Sequence, residues 1–104
     1  RIANALIDSF ANLHAVDLDA AGLSDFGQAQ GYVRRQIAGW TRRYIKARTD
    51  DVPEIESAAQ RLADNLPPES GAGLLHNDYK YDNVVLNPNN RAEIIAVLDW
   101  EMAT

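Results

Sequence analysis

Three observations predict an α+β fold for the 104 residues: about three helices, then a polar loop, then a β-hairpin. Apolar residues recur at helical spacing through the first two thirds of the chain, in stretches separated by Asp-, Gly- and Pro-containing connectors. The last third carries two short apolar runs, residues 84–86 and 94–98, on either side of Asn87, Pro88, Asn89 and Asn90. Turn residues between two strand-like runs favour a hairpin. Between the helical and hairpin regions lies the loop 76–83, HNDYKYDN, which holds a histidine, two aspartates, a lysine and two asparagines within eight positions.

The first helix spans residues 1–14, with Ile2, Leu6, Phe10 and Leu13 on one face. His14 ends the pattern and reads as a capping or packed histidine, which a helix C-terminus favours electrostatically. Residues 16–27 form a connector, with Leu18, Leu23 and Phe26 expected to plug into the core. A second helix runs from Gln28 to about Arg48. Val33, Ile37, Trp40 and Tyr44 step by four, three and four, giving a stripe expected to be core. Gly39 within it costs about 1 kcal/mol relative to Ala. A third helix is predicted over residues 51–66. Asp51 and Glu54 have capping-box spacing, Pro53 is tolerated in the first turn, and Pro67 and Pro68 end the helix. Its buried face is expected to comprise Ile55, Ala58, Ala59, Leu62, Ala63 and Leu66. Leu74 and Leu75 read as a short strand leading into His76. Residues 94–98 do not alternate with polar residues, so burial on both faces is expected there.

A net charge of −5 without a long basic run makes nucleic acid a poor partner. The basic residues Arg34, Arg35, Arg42, Arg43, Lys46 and Arg48 gather on the second helix. They read as a solvated face or as a surface that attracts an acidic or phosphorylated substrate. With no cysteine, the chain has no disulfide, thiolate metal site or Cys nucleophile, which is compatible with a cytoplasmic location. No apolar stretch is long enough to span a bilayer.

The hairpin gives the polar residues a chemical meaning. Asn83 sits at the start of one strand and Asp99 at the end of its antiparallel neighbour, so the two should meet. An amide oxygen and a carboxylate are hard donors suited to Mg²⁺. Asp78, on the loop before Asn83, is placed to orient a substrate hydroxyl and accept its proton, and Lys80 is placed to add positive charge near a transferred group. Together these are the parts of phosphoryl transfer, where the protein supplies mainly position and charge.

His76-Asn77-Asp78-Tyr79-Lys80-Tyr81-Asp82-Asn83 resembles the H-x-D-x-x-x-x-N catalytic loop of kinase-like phosphotransferases, and Asp99-Trp100-Glu101 resembles their metal-binding D-x-x triplet. The wording HNDYKYDNVVL…VLDWEMAT is similar to the aminoglycoside phosphotransferase superfamily, and most of all to the branch found fused to, or encoded beside, acyl-CoA dehydrogenases. The upstream LHAVDL, the YVRRQIAGW helix and the proline-bounded helix share that likeness, which thus covers nearly the whole chain. The resemblance implies a protein-kinase-like C-terminal lobe, with residues 1–73 as helical scaffold and 74–104 as catalytic loop and metal-binding hairpin. It implies Asp78 as catalytic base, Asn83 and Asp99 as Mg²⁺ ligands, and Glu101 as an aid to the metal. Lys80 would contact the γ-phosphate of ATP, and His76 would brace the loop. Asn77 stands where the family usually has Gly. Asp82 is expected to cap or brace the loop, Tyr79 and Tyr81 to anchor it, and Trp100 to pack.

No glycine-rich phosphate loop, strand lysine or partner glutamate is identifiable, and the chain opens without Met on a helical pattern. A central piece of a larger domain, lacking its N-terminal lobe and inactive alone, is therefore expected. The leading expectation is an ATP- and Mg²⁺-dependent small-molecule kinase; the alternative is a pseudokinase-like nucleotide-binding or scaffolding module. A metal-dependent hydrolase would call for more His or carboxylate ligands. The acceptor hydroxyl is open among aminoglycosides, choline-like alcohols, sugars, hydroxyacyl thioesters and proteins, and so is the oligomeric state.

Overall fold

The computed structural model describes residues 1–104 and has the predicted α+β content. The elements are α1 (Ile2–His14), α2 (Tyr32–Ala47) and α3 (Pro53–Asp64), a 3₁₀ turn (Tyr81–Asn83), then β1 (Val84–Asn87) and β2 (Asn90–Val97). They belong to two compact units. One comprises Arg1–Gly27 and Ala72–Thr104, and the other Gln28–Gly71.

In the first unit, β1 and β2 pair antiparallel, with Val84 opposite Val97 and Val85 opposite Ala96. Register shifts follow, after Val85 and again after Leu86, so the ladder closes with Asn87 opposite Asn90. Asn87 closes the turn: its Oδ1 accepts from the Asn89 N–H at 2.9 Å, a side-chain mimic of a backbone turn. Helix α1 packs against β2. At its C-terminus the Ala15 N–H finds the carbonyls of Ala11 and Asn12. The chain then turns through Asp17, whose carboxylate accepts from the amides of Asp19 and Ala20. Leu18 and Leu23 are half-buried, as expected of core plugs, but Phe26 is exposed. Residues 74–75 do not form a ladder strand. Leu75 instead exchanges two backbone hydrogen bonds with Thr104, at 2.8 and 3.0 Å, tying the loop stem to the segment after β2.

The expected two-sided burial of 94–98 is not found. Ile94 and Val97 are half-buried while Ile95 and Leu98 are exposed, because a sheet of two strands has only one face covered here. The buried residues of the unit are Leu74, His76 and Asn83, so its most enclosed point is polar and belongs to the loop.

In the second unit, α2 packs on α3. Helix α2 begins at Tyr32, later than the predicted start at Gln28. Gly31 takes a left-handed backbone (φ 70°) before the first helical residue. Its N–H donates to Glu69 Oε1 at 2.6 Å, and the Arg35 guanidinium donates to the carbonyls of Gln28 and Gln30. Helix α3 starts at Pro53, whose fixed φ and missing N–H suit a first helical position. The Asp51 capping box does not form. Val52 is the cap residue, and Asp51 pairs with Arg48 at 3.3 Å. The predicted core stripes are only partly covered: Ile37, Tyr44, Ala59 and Leu66 are half-buried, whereas Trp40 and Leu62 are about 60% exposed. Two helices alone can cover only one side of each other. Arg43 lies over the exposed Trp40 ring, 4.8 Å from its centroid, in a cation–π contact.

Candidate active site

The loop 76–83 is built around two buried side chains. His76 is 1% exposed and reads both of its neighbours. Nε2 lies 2.8 Å from the Leu98 carbonyl, and Nδ1 accepts from the Asp78 N–H at 3.2 Å. A carbonyl only accepts and an amide N–H only donates, so these partners require the Nε2–H tautomer. The ring packs on Trp100 and meets Tyr79 edge-on. The expected brace is thus present and has a specific form, one imidazole joining the residue before Asp99 to the backbone of Asp78.

Asn83 is the second anchor. The 3₁₀ turn Tyr81–Asn83 folds it back so that its Nδ2 donates to the Asp78 carbonyl at 2.9 Å and to Asp78 Oδ2 at 3.0 Å. Its own carbonyl accepts from the Leu98 N–H at 2.8 Å, extending the hairpin ladder one step past Val84 and Val97. Asp99 therefore follows directly on the residue whose N–H pairs with the Asn83 carbonyl. Asp99 adopts φ 63°, outside the usual range for a residue with a side chain.

Lys80 Nζ lies 3.0 and 2.8 Å from the two oxygens of Asp78. That hydrogen-bonded ion pair holds the Asp78 carboxyl below its ordinary range, aided by the Asn83 amide and opposed by partial burial. Reciprocally, Asp78 pushes the Lys80 ammonium above its ordinary range.

Tyr79 is an anchor, as expected: its hydroxyl donates to the Leu6 carbonyl of α1 at 2.9 Å and its ring lies 5.0 Å from Phe10. Tyr81 is not; it is 54% exposed and its hydroxyl has no partner. Asp82 neither caps nor braces the loop through its side chain, and acts on Lys80 through charge alone. Trp100 packs on His76 and donates from Nε1 to the Val97 carbonyl at 2.8 Å. Glu101 is exposed on the turn after Asp99. Residue-type reasoning did not foresee the bond from Asn77 Nδ2 to the Met102 carbonyl, at 2.9 Å. A usable signal was there: Asn is one of the few non-glycine residues enriched at positive φ, and Asn77 has φ 66° where the resembled loop has Gly.

These donors fit Mg²⁺ in its phosphate-bound form. Asn83 spends its amide nitrogen on Asp78 and keeps its oxygen as a donor, and the Asp99 carboxylate makes no hydrogen bond within the chain. No group of three or more His, Asp or Glu side chains is gathered to hold a metal ion unaided. Mg²⁺ is commonly held by one or two protein oxygens together with substrate phosphates, so a pair of donors suits that role and not a closed structural cage.

The family model described as "Phosphotransferase enzyme family" matches residues 1–104. Among curated proteins, the chain is 41% identical over 99 residues to "Acyl-CoA dehydrogenase family member 11" of Gallus gallus, covering 94% of this chain and 13% of that protein. It is 38% identical over 103 residues to "Acyl-CoA dehydrogenase family member 10" of Mus musculus, covering 99% and 10%. It is 33% identical over 111 residues to "Probable acyl-CoA dehydrogenase IBR3" of Arabidopsis thaliana, covering 99% and 13%. The chain thus spans about an eighth or less of the length of these relatives. No solved structure gives a significant match.

Proposed function

The chain belongs to the phosphotransferase enzyme family, and from that premise we propose that it carries half of an ATP- and Mg²⁺-dependent site that phosphorylates a hydroxyl of a small molecule. The observation that supports this most is the grouping of Asp78, Lys80 and Asn83 with the segment just after β2, where Leu98 pairs with Asn83 and Asp99 follows. On this reading, residues 1–104 are the central part of a kinase-like C-terminal lobe. Segments outside them supply the phosphate-covering lobe and most of the acceptor pocket.

In the proposed transfer, the acceptor oxygen forms a bond to the γ-phosphorus of ATP as the bond from that phosphorus to the ADP oxygen breaks. Asp78 orients the hydroxyl and receives its proton, and Lys80 offsets charge on the transferring group. Asn83 and Asp99, with Glu101 assisting, are the proposed Mg²⁺ ligands; bound Mg²⁺ would neutralise the phosphates. A carboxylate held below its ordinary range is ionised at neutral pH, as an acceptor of a hydroxyl proton must be. The intact set of Asp78, Asn83 and Asp99 weighs against a pseudokinase-like scaffold.

No helix is long and apolar enough to cross a membrane. A cytoplasmic setting, with a nucleotide and a small hydroxyl compound as partners, accords with the absence of cysteine. The test is γ-phosphate transfer by the full-length protein with Mg²⁺ and ATP across hydroxyl compounds. The panel includes hydroxyacyl thioesters, because the relatives' names carry acyl-CoA. A mass gain of one phosphate on a panel member is the expected result. Failure to bind Mg²⁺–ATP at all would contradict the reading.

A further inference from the structure

The chain has two non-glycine residues at positive φ, and both are in this site: Asn77 at 66°, directly before Asp78, and Asp99 at 63°. Such conformations cost free energy and persist where the surroundings over-determine them. The surroundings of Asp99 are unusual in being set by two consecutive side chains from another segment. His76 bonds the Leu98 carbonyl on one side of Asp99, and Asn77 bonds the Met102 carbonyl on the other. Between these bonds lies a short turn closed by the Ala103 N–H on the Trp100 carbonyl, with Trp100, Glu101 and Met102 all exposed. Trp100 is held at the near end by its packing on His76 and its bond to the Val97 carbonyl, and Thr104 is tied to Leu75 beyond the turn. Between them the Asn77 bond to Met102 is the one side-chain tie on the far half of the turn.

We infer that Asn77 is a positioning residue for the segment 98–102, and that its side-chain amide fixes the far end of the turn that presents Asp99 and Glu101 to a divalent cation. This deepens the proposed phosphotransferase reading and rests on it for the identity of the cation. Asn suits the position for two separable reasons. It tolerates positive φ better than most residues, and it has an N–H₂ donor long enough to reach Met102. Gly would satisfy the first requirement and not the second; Ala would satisfy neither.

Asn77→Gly and Asn77→Ala in the full-length protein separate the two. The measurements are hydrogen exchange across residues 98–104 in metal-free protein, binding of an ATP analogue with and without Mg²⁺, and the thermal midpoint. A neutral hydrogen bond between side chain and backbone is worth a roughly 3- to 10-fold effect on an equilibrium. The expected result is that both variants exchange roughly 3- to 10-fold faster over 98–104 and lose a similar factor in Mg²⁺-dependent binding. Mg²⁺-free binding and, for the Gly variant, the thermal midpoint stay unchanged. If the Gly variant matches the original protein in exchange and binding while only the Ala variant is impaired, Asn77 serves the backbone conformation alone and the inference is overturned. If exchange accelerates as expected but the unsubstituted protein shows no Mg²⁺-dependent nucleotide binding, the brace stands and the phosphotransferase reading falls.

Discussion

Replacing His76 with Ala removes the side chain that joins the loop at Asp78 to the segment after β2 that carries Asp99. The ring is 1% exposed and makes two hydrogen bonds, to the Leu98 carbonyl and from the Asp78 N–H. Each contributes about 0.5–1.5 kcal/mol net, and loss of a fully enclosed ring adds a cavity cost, for a total of about 2–4 kcal/mol. With 1.4 kcal/mol equal to a factor of ten, the local opening equilibrium should rise roughly 30- to 700-fold. Hydrogen exchange with peptide-level readout on the full-length protein measures this directly. Segments 74–83 and 94–104 should both lose protection, together, because one ring serves both. Helix α2 and helix α3, in the other unit, should be unaffected. A change below about 3-fold in both segments would refute the claim that His76 couples them.

Lys80→Met should let the Asp78 carboxyl rise toward its ordinary value of 3.8, read by carbon NMR titration, since the Lys80 hydrogen bond is the largest cause of its depression; an unmoved titration would contradict the pairing. The pair also fixes a pH window. Asp78 titrates lower when folded, so its contribution is present above its unfolded pKa and is lost as pH falls through the folded value, below 3.8. Lys80 titrates higher when folded, so its contribution is full below its unfolded pKa and is lost as pH rises through the folded value, above 10.5. Exchange protection of the loop should therefore be flat near neutrality and fall at both extremes. Trp40→Ala should cost at most about 1 kcal/mol in denaturant unfolding, because the ring is 61% exposed and held by one cation–π contact. A loss of about 3–5 kcal/mol, typical of a buried tryptophan, would mean that the ring is enclosed in the full-length protein.

The sequence announced the hairpin and its consequence because both are local. A turn of Asn87 to Asn90 between apolar runs leaves little choice of partner strand, and antiparallel pairing then brings Asn83 and Asp99 to one end. Helix existence was equally legible, since the 3.6-residue period survives in all three segments. The misses have physical causes. The starts of α2 and α3 are set by the positive φ of Gly31 and by Pro53, which override the expected start at Gln28 and the Asp51 cap. Burial of Trp40, Leu62, Phe26 and Ile95 could not be read from periodicity, which says which residues share a face but not whether anything covers it. The bonds from Tyr79 to Leu6, from Asn77 to Met102 and between Leu75 and Thr104 join distant segments through single polar atoms, and leave no periodic trace in the chain.

The central claim is that Asp78 acts on an acceptor hydroxyl at a phosphoryl-transfer site. Asp78→Asn in the full-length protein tests it most directly, with turnover and Mg²⁺–ATP binding measured on the same preparation. The substitution keeps shape and removes the proton acceptor. The account predicts a loss of kcat of roughly 10²- to 10⁴-fold, the usual scale of general-base catalysis, with nucleotide affinity little changed. Unchanged kcat at unchanged affinity would contradict it.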